Sequence, residues 1–353
     1  MKALAHHLKQ VRLFLERARS ARDYKSVPSQ VLDALFHKIA INTAFRDYHQ
    51  YEFYKPGKTM EEKSRYVGLT GSRYWPYENN KPKFAVTLTD KYIQKTMLIG
   101  FGLPTARLLT TVGRTFDIDD LETFGSFLAS YQHDVVLKPI SSSGGTNILV
   151  LARKGDGFEC SGRAISVNEV WEHLSKGLER GFLIEERAKN IDEVAALYPH
   201  SLNTFRVVTI RTSDGVWHSP ACALKLGRGG GWVDNLAAGG IQVPVGTSGI
   251  TYNAYDHISH QPITHHPDTG APLNGITLSC HREIVELGLK ASRKFGFMGT
   301  IGWDIAATDK GPLIVEGNTL WAPKFQIPMG GFITDDIAKG LRRRTMFTGL
   351  SRA

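Results

Sequence analysis

The sequence predicts an α+β chain: a helical front end, a small α+β unit, then a larger antiparallel sheet with helices. Three observations predict it. Apolar residues recur at helical spacing early in the chain, no sustained strand series precedes residue 85, and beyond residue 86 short apolar runs alternate with helical stretches and glycine-rich turns.

Leu4, Leu8, Val11, Leu15 and Ala18 lie on one face of a helix, and Leu32, Leu35, Phe36 and Ile39 repeat the pattern after Pro28. Residues 51–85 are rich in Tyr, Lys, Gly and Pro without a period and read as irregular. Thr89-Asp90 supplies an N-cap for a helix running to about Gly100, closed by Gly102 and Pro104. Val135 to Pro139 and Asn147 to Ala152 read as strands joined by a hairpin-like SSSGG turn. A helix over 167–180 and a strand from Phe182 to Glu186 follow. TFRVVTIR, GVWHSPACALKLGR and IQVPV read as antiparallel strands, a helix spans 279–295, and GTIGWDIAATD and GPLIVEGNTL close the sheet. The expected divisions are a cap over 1–85, a small lobe over 86–185, a larger lobe over 186–338 and a basic tail over 339–353.

Composition excludes several classes. The sequence has no apolar run of about 18 residues, so no membrane span is expected, and the N-terminus lacks the apolar core of a signal peptide. Cys160, Cys222 and Cys280 are isolated and form neither a disulfide framework nor a CxxC metal site, which fits a cytoplasmic setting. The net charge of +9 sits at the ends: residues 1–25 carry seven Lys/Arg and two acids, and 339–353 carry five Lys/Arg and no acid. Basic ends on a near-neutral body argue against a nucleic-acid groove.

The chemistry concentrates late in the chain. Asp304 and the pair Glu316 and Asn318 lie on strands joined by the turn 308–311, with Asp304 opposite Glu316 or opposite 312–314 depending on register. Glu316 and Asn318 are two apart, so their side chains leave one face. Carboxylates among Ile301, Trp303, Ile305, Leu313, Ile314 and Val315 are costly unless paired, and oxygen donors suit Mg²⁺, with Mn²⁺ as the alternative ion. Upstream, Lys138 precedes Ser141, Ser142, Ser143, Gly144 and Gly145, a loop able to lay N–H groups and hydroxyls around phosphate. It is not a Walker loop, because no GK[ST] follows the glycines. Arg206 and Lys225 sit in strands otherwise made of Val, Ile, Ala and Leu, so each needs an anion. His265-His266 before Pro267 reads as loop rather than metal site.

TDKYIQKTMLIGFGLPTARLL, VVLKPISSSGG, FLIEERAKN, SLNTFRVVTI, ACALKLGRGGG and GWDIAATDKGPLIVEGN occur in the order seen in ATP-grasp enzymes. With VDNLAAGGI, the chain more narrowly resembles the bacterial sugar-transfer associated ATP-grasp group, over about residues 86–330. The resemblance implies two α+β lobes sandwiching ATP. It implies Lys91 on phosphate, with Lys95 on the same helix face as the other candidate, and Lys138 on the α/β-phosphates and adenine. Glu185 and Glu186 would form the adenine hinge, with Glu185 turned inward, and Asp192 or Glu193 would hold ribose. Arg206, Lys225 and Arg228 would meet phosphate or a substrate carboxylate, with Asn203 and Asn235 near substrate. Relatives that ligate amino acids often carry an N-terminal α/β domain, where this chain has helices.

The reading that results is an ATP- and Mg²⁺-dependent carboxylate–amine ligase working through an acyl phosphate, in glycan or natural-product biosynthesis. Its partners would be ATP, a small carboxylate and an amine, with a homodimer as one oligomeric state. A small-molecule kinase of the same fold and a non-catalytic nucleotide-binding protein are the alternatives.

Overall fold

The chain's apolar runs pair into two sheets. A computed structural model describes residues 2–68, 73–142, 145, 147–235, 239–256, 261–321, 323 and 326–341. The front end holds helices α1 (Lys2–Ser20), α2 (Val27–Ile41), α3 (Phe45–Gln50) and α4 (Met60–Ser64). Ser26 caps α2 by accepting a hydrogen bond from the Ser29 N–H, and Asn42, at φ 53°, ends it in the left-handed region. The cap closes around Ala34, Tyr48, Tyr51, Phe53 and Tyr66.

Two short helices follow, α5 (Val86–Thr89) and α6 (Lys91–Gly100). Asp90 caps α6 through the Ile93 N–H, as its sequence predicts. Leu88, Leu98 and Leu103 belong to the core beneath the larger sheet. The stretch expected to open the small lobe at residue 86 therefore packs on the large one.

The small sheet comprises β1 (Leu108–Val112), β2 (Val135–Pro139), β3 (Leu149–Lys154), β4 (Gly157–Cys160), β5 (Arg163–Ile165) and β6 (Phe182–Glu186). Its order is β1-β6-β2-β3-β4-β5, and its helices α7 (Leu121–Ser130) and α8 (Val167–Ser175) cover one face through Phe124, Leu128, Val170 and Leu174.

After α9 (Asp192–Ala195), the larger sheet takes β7 (Thr204–Arg211), β8 (Trp217–Leu226), β9 (Ile241–Val245), β10 (Ala254–Asp256), β11 (Gln261–Ile263), β12 (Thr300–Thr308) and β13 (Gly311–Asn318), ordered β11-β10-β9-β8-β7-β12-β13. Helix α10 (His281–Lys294) packs on it with Ile284, Leu287 and Ala291 buried. Strand β12 is buried along its whole length, which fits its central place and continuous apolar run. The short helices α11 (Gln326–Met329) and α12 (Asp335–Gly340) finish the described chain. Most of the expected basic tail, residues 342–353, lies outside the described residues.

One buried amide ties the front end to the back. The Gln326 carbonyl accepts from the Val67 N–H at 2.8 Å, and its amide donates to the Val67 and Pro323 carbonyls at 3.0 and 2.9 Å. Replacing it with leucine of similar volume strands the buried Val67 N–H, while the Val67 carbonyl keeps the Tyr51 hydroxyl. We expect Gln326→Leu to cost about 1–3 kcal/mol, seen as a lowered midpoint in urea denaturation; an unchanged midpoint would mean the amide is dispensable.

Candidate active site

Antiparallel pairing sets the first half of the site. Val136 pairs with Glu185 and Lys138 with Leu183, so Lys138 and Glu185 project from the same face of β2 and β6. Leu137 and Ile184 take the opposite, core-facing side. Glu185 is 1% exposed and is gripped from two directions: Lys138 Nζ lies 2.6 Å from Oε2 and Lys95 Nζ 2.6 Å from Oε1. Burial pushes the Glu185 carboxyl upward, but Lys138 and Lys95 outweigh it and hold it below its usual range.

The two helix lysines separate in the structure. Lys95 also donates to Thr105 Oγ1 and the Ala106 carbonyl, at 2.6 and 3.0 Å, so its donors are spent within the protein. Lys91 instead reaches the main-chain carbonyl of Ser142 in the serine–glycine loop. Burial lowers the pKa of both, with Glu316 opposing it at Lys91 and Glu185 at Lys95.

The second half forms across β7, β12 and β13. Asp304 stands opposite Arg206 on one side and Glu316 on the other, the register the sequence left open. A bulge between Asp304 and Ile305 follows. Arg206 grips Asp304 with two donors, Nε to Oδ1 at 2.6 Å and a terminal nitrogen to Oδ2 at 3.1 Å, and Lys225 Nζ sits 3.0 Å from Oδ2. Burial would raise the Asp304 carboxyl, yet Arg206 and then Lys225 hold it down to about 2. Asn318 Nδ2 approaches both Asp304 Oδ2 and Glu316 Oε1, at 3.5 and 3.4 Å. Gly302 makes this packing feasible: a Cβ there would lie 2.4 Å from the Trp321 Cβ and 3.2 Å from Arg206 Cδ.

Asp234 joins the cluster and was not anticipated from sequence. Its Oδ1 lies 3.4 Å from Lys225 Nζ, while Oδ2 accepts from the Thr204 N–H at 2.9 Å and from the Thr204 hydroxyl. Burial pushes the Asp234 carboxyl up despite Lys225.

The two halves face each other across a cleft of about 1230 Å³, measured to its open mouth. Val136, Val150, Leu183, Leu313 and Val315 give it an apolar section. Lys91, Lys138, Ser142, Gly145, Glu185, Glu186, Lys225, Asn235, Asp304 and Glu316 all line it. Trp232 lines it too, stacked under the Arg187 guanidinium at 4.9 Å.

Other expected residues fall elsewhere. Asp192 is exposed in the first turn of α9 and does not line the cleft; its neighbour Glu193 accepts from the Ser279 N–H and hydroxyl instead of facing a ribose. Asn203 is fully buried, its amide bonded to the Tyr198 carbonyl and its oxygen to the Ser201 hydroxyl, so it braces a turn and is not available to substrate. Arg228 pairs with Asp256 at 3.3 Å, away from the cleft lining. Ser141 is exposed outside the lining, and Ser143 and Gly144 lie outside the described residues.

The donor chemistry fits Mg²⁺. Among the described residues no three His, Cys, Asp or Glu side chains could hold a metal by themselves, and the residues that would hold one here are two carboxylates and an amide, Asp304, Glu316 and Asn318. Glu316 has no ion-pair partner among the described residues, which leaves its oxygens for a cation. Rotating the Asn318 amide would exchange its nitrogen for Oδ1 at the carboxylates.

Two α+β lobes, with lysines and carboxylates lining the cleft between them, define an ATP-grasp protein. The chain belongs to the sugar-transfer associated ATP-grasp family, whose profile matches residues 72–339. No curated protein matches it. It is similar to the solved structure of D-alanyl-alanine synthetase A from Vibrio cholerae at 9% identity and a TM-score of 0.43, covering 77% of this chain and 65% of that one. It is also similar to a RimK domain ATP-grasp protein from Sphaerobacter thermophilus, at 14% identity and a TM-score of 0.41, covering 73% and 69%. For the D-alanine-D-alanine ligase from Coxiella burnetii the figures are 11%, 0.40, 71% and 55%, so the chain spans about half of that protein. Among the described residues, no helix is long and apolar enough to cross a membrane.

A pH prediction follows from Asp304. Its folded pKa lies below the ordinary 3.8, so its ionised form stabilises the fold above about pH 4, and that contribution disappears as pH falls toward 2. Asp234, whose carboxyl burial pushes up, contributes in the opposite direction. In chelator-treated protein, unfolding free energy should fall between pH 4 and 2, and Asp304→Asn should flatten that slope. Equal slopes in both proteins would show that the ion cluster does not form.

Proposed function

We propose that this protein is an ATP- and Mg²⁺-dependent ligase that activates a carboxylate as an acyl phosphate and joins it to an amine. The observation that supports this most is the convergence in one cleft of Lys138 from the small sheet, Lys91 from α6, and Lys225, Asp304 and Glu316 from the larger sheet. A triphosphate needs cations along its length and oxygen donors for its metal, and the cleft offers both.

In this reading the apolar section around Val136, Leu183 and Leu313 takes the adenine, with the backbone at Glu186 to Ala188 along its edge. Lys138, oriented by Glu185, and Lys91 meet the phosphates. Asp304, Glu316 and Asn318 would hold Mg²⁺ or Mn²⁺, which when bound supplies Lewis-acid neutralisation of phosphate oxygens. Arg206 and Lys225 stabilise the charge on the transferring phosphoryl group. The substrate carboxylate oxygen attacks the γ-phosphorus and ADP leaves. The amine nitrogen then attacks the acyl carbon, phosphate leaves, and the nitrogen gives up its proton. Arg228, Asn203 and Asp192 take no part, and Asn235, which lines the cleft, would meet the substrate. Exclusion of water and alignment of the reactants carry the rate, since the cluster offers charge rather than a protein nucleophile.

The substrate class belongs to the same proposal: a sugar acid or amino acid in glycan or natural-product assembly. The test is a screen of sugar acids and amino acids paired with amines, scored by phosphate release and product mass. A condensed product with equimolar ADP supports the ligase; a product heavier by phosphate alone identifies a kinase and overturns it. Glu316→Ala should lower ATP turnover at least about a hundredfold with an unchanged thermal midpoint. Turnover at the parent rate would remove Glu316 from the metal set.

A further inference from the structure

Helix α2 is apolar on two opposite sides. Ala34, His37 and Ile41 face inward with Gln30, while Leu32, Leu35, Phe36 and Ile39 are 42–69% exposed on the other side. The spacing of 32, 36 and 39 makes this a continuous outward stripe. No charge interrupts it: Asp33 is held by Lys25 and Tyr48, and Lys38 by Asn42. An α-helix apolar on both sides in water is ordinarily covered on both.

The charge of the same front-end segment indicates what covers it. Residues 1–50 contain nine Lys/Arg and four Asp/Glu. Lys9, Arg17, Arg19, Arg22 and Arg46 are exposed and have no ion-pair partner among the described residues. On α1, Leu8 and Val11 are also exposed beside these basic residues. A second copy docked symmetrically would bring the same uncompensated cations against one another. An anionic bilayer accepts both features, apolar side chains below the headgroups and arginines among the phosphates.

We propose that the α1–α2 helix pair docks this protein peripherally on an anionic lipid surface, with Leu32, Leu35, Phe36 and Ile39 entering the interface. This placement is independent of the reaction proposed above and is read out without any substrate.

The test is co-sedimentation of the full chain with vesicles of phosphatidylcholine alone or mixed equally with phosphatidylglycerol. The double variant Phe36→Glu/Ile39→Glu changes two exposed side chains, so its thermal midpoint and ATP affinity should match the parent. We expect at least about tenfold more pelleted protein with anionic than with neutral vesicles, weakened by high salt and lost in the double variant. Three results would overturn the proposal. They are no enrichment on anionic vesicles, equal pelleting of the double variant, and a parent dimer in light scattering that the double variant dissociates, which would make a second copy the occupant.

Discussion

A carboxylate buried in the middle of a sheet sets the terms for the rest of this molecule. Asp304 lies on β12, where the neighbouring positions are Trp303 and Ile305, and an uncompensated charge there would not persist. Its neutralisation comes from β7 and β8 through Arg206 and Lys225, so the order of three strands is bound to the balance of one charge cluster. Lys225 in turn brings in Asp234, and Asp234 anchors the glycine-rich loop to Thr204. The register also places Glu316 opposite Asp304, at the same cleft. Fold and site are therefore one arrangement here, because the polar groups that would destabilise the sheet are those that compensate one another at the cleft.

The legible parts of the sequence were those where burial and chain period agree. The strands from 135, 182, 204, 217, 241, 300 and 311 carry apolar runs and occur as read. Strand β1 escaped because LLTTV is half-exposed and mostly without alternation, and β4, β5, β10 and β11 are only three or four residues long. Which core receives the helix after residue 86 was not legible for a different reason. A capped amphipathic helix shows which face is apolar, but not which of two cores will receive it, and α6 chose the larger.

Within the site, Lys138, Glu185, Lys225, Asp304 and Glu316 stand out in sequence as charged groups inside apolar strands, where burial forces a partner, and all five line the cleft. Polar residues outside strands were less informative. Asp192 and Asn203 have the chemistry of ligands, yet helix entry and turn bracing use the same hydrogen bonds, and local sequence does not separate the uses. Asp234 shows the converse. It sits among Gly, Trp and Asn with no periodic context, and its importance arises only from Thr204 and Lys225, which are distant in sequence.

The Lys95–Glu185 contact bears on motion. Lys95 belongs to a helix seated on the large lobe's core, whereas Glu185 lies on a strand of the small sheet. Swinging the sheets wide apart would break this buried ion pair and leave Glu185 to Lys138 alone. The contact therefore ties α6 to the small sheet along one side of the cleft.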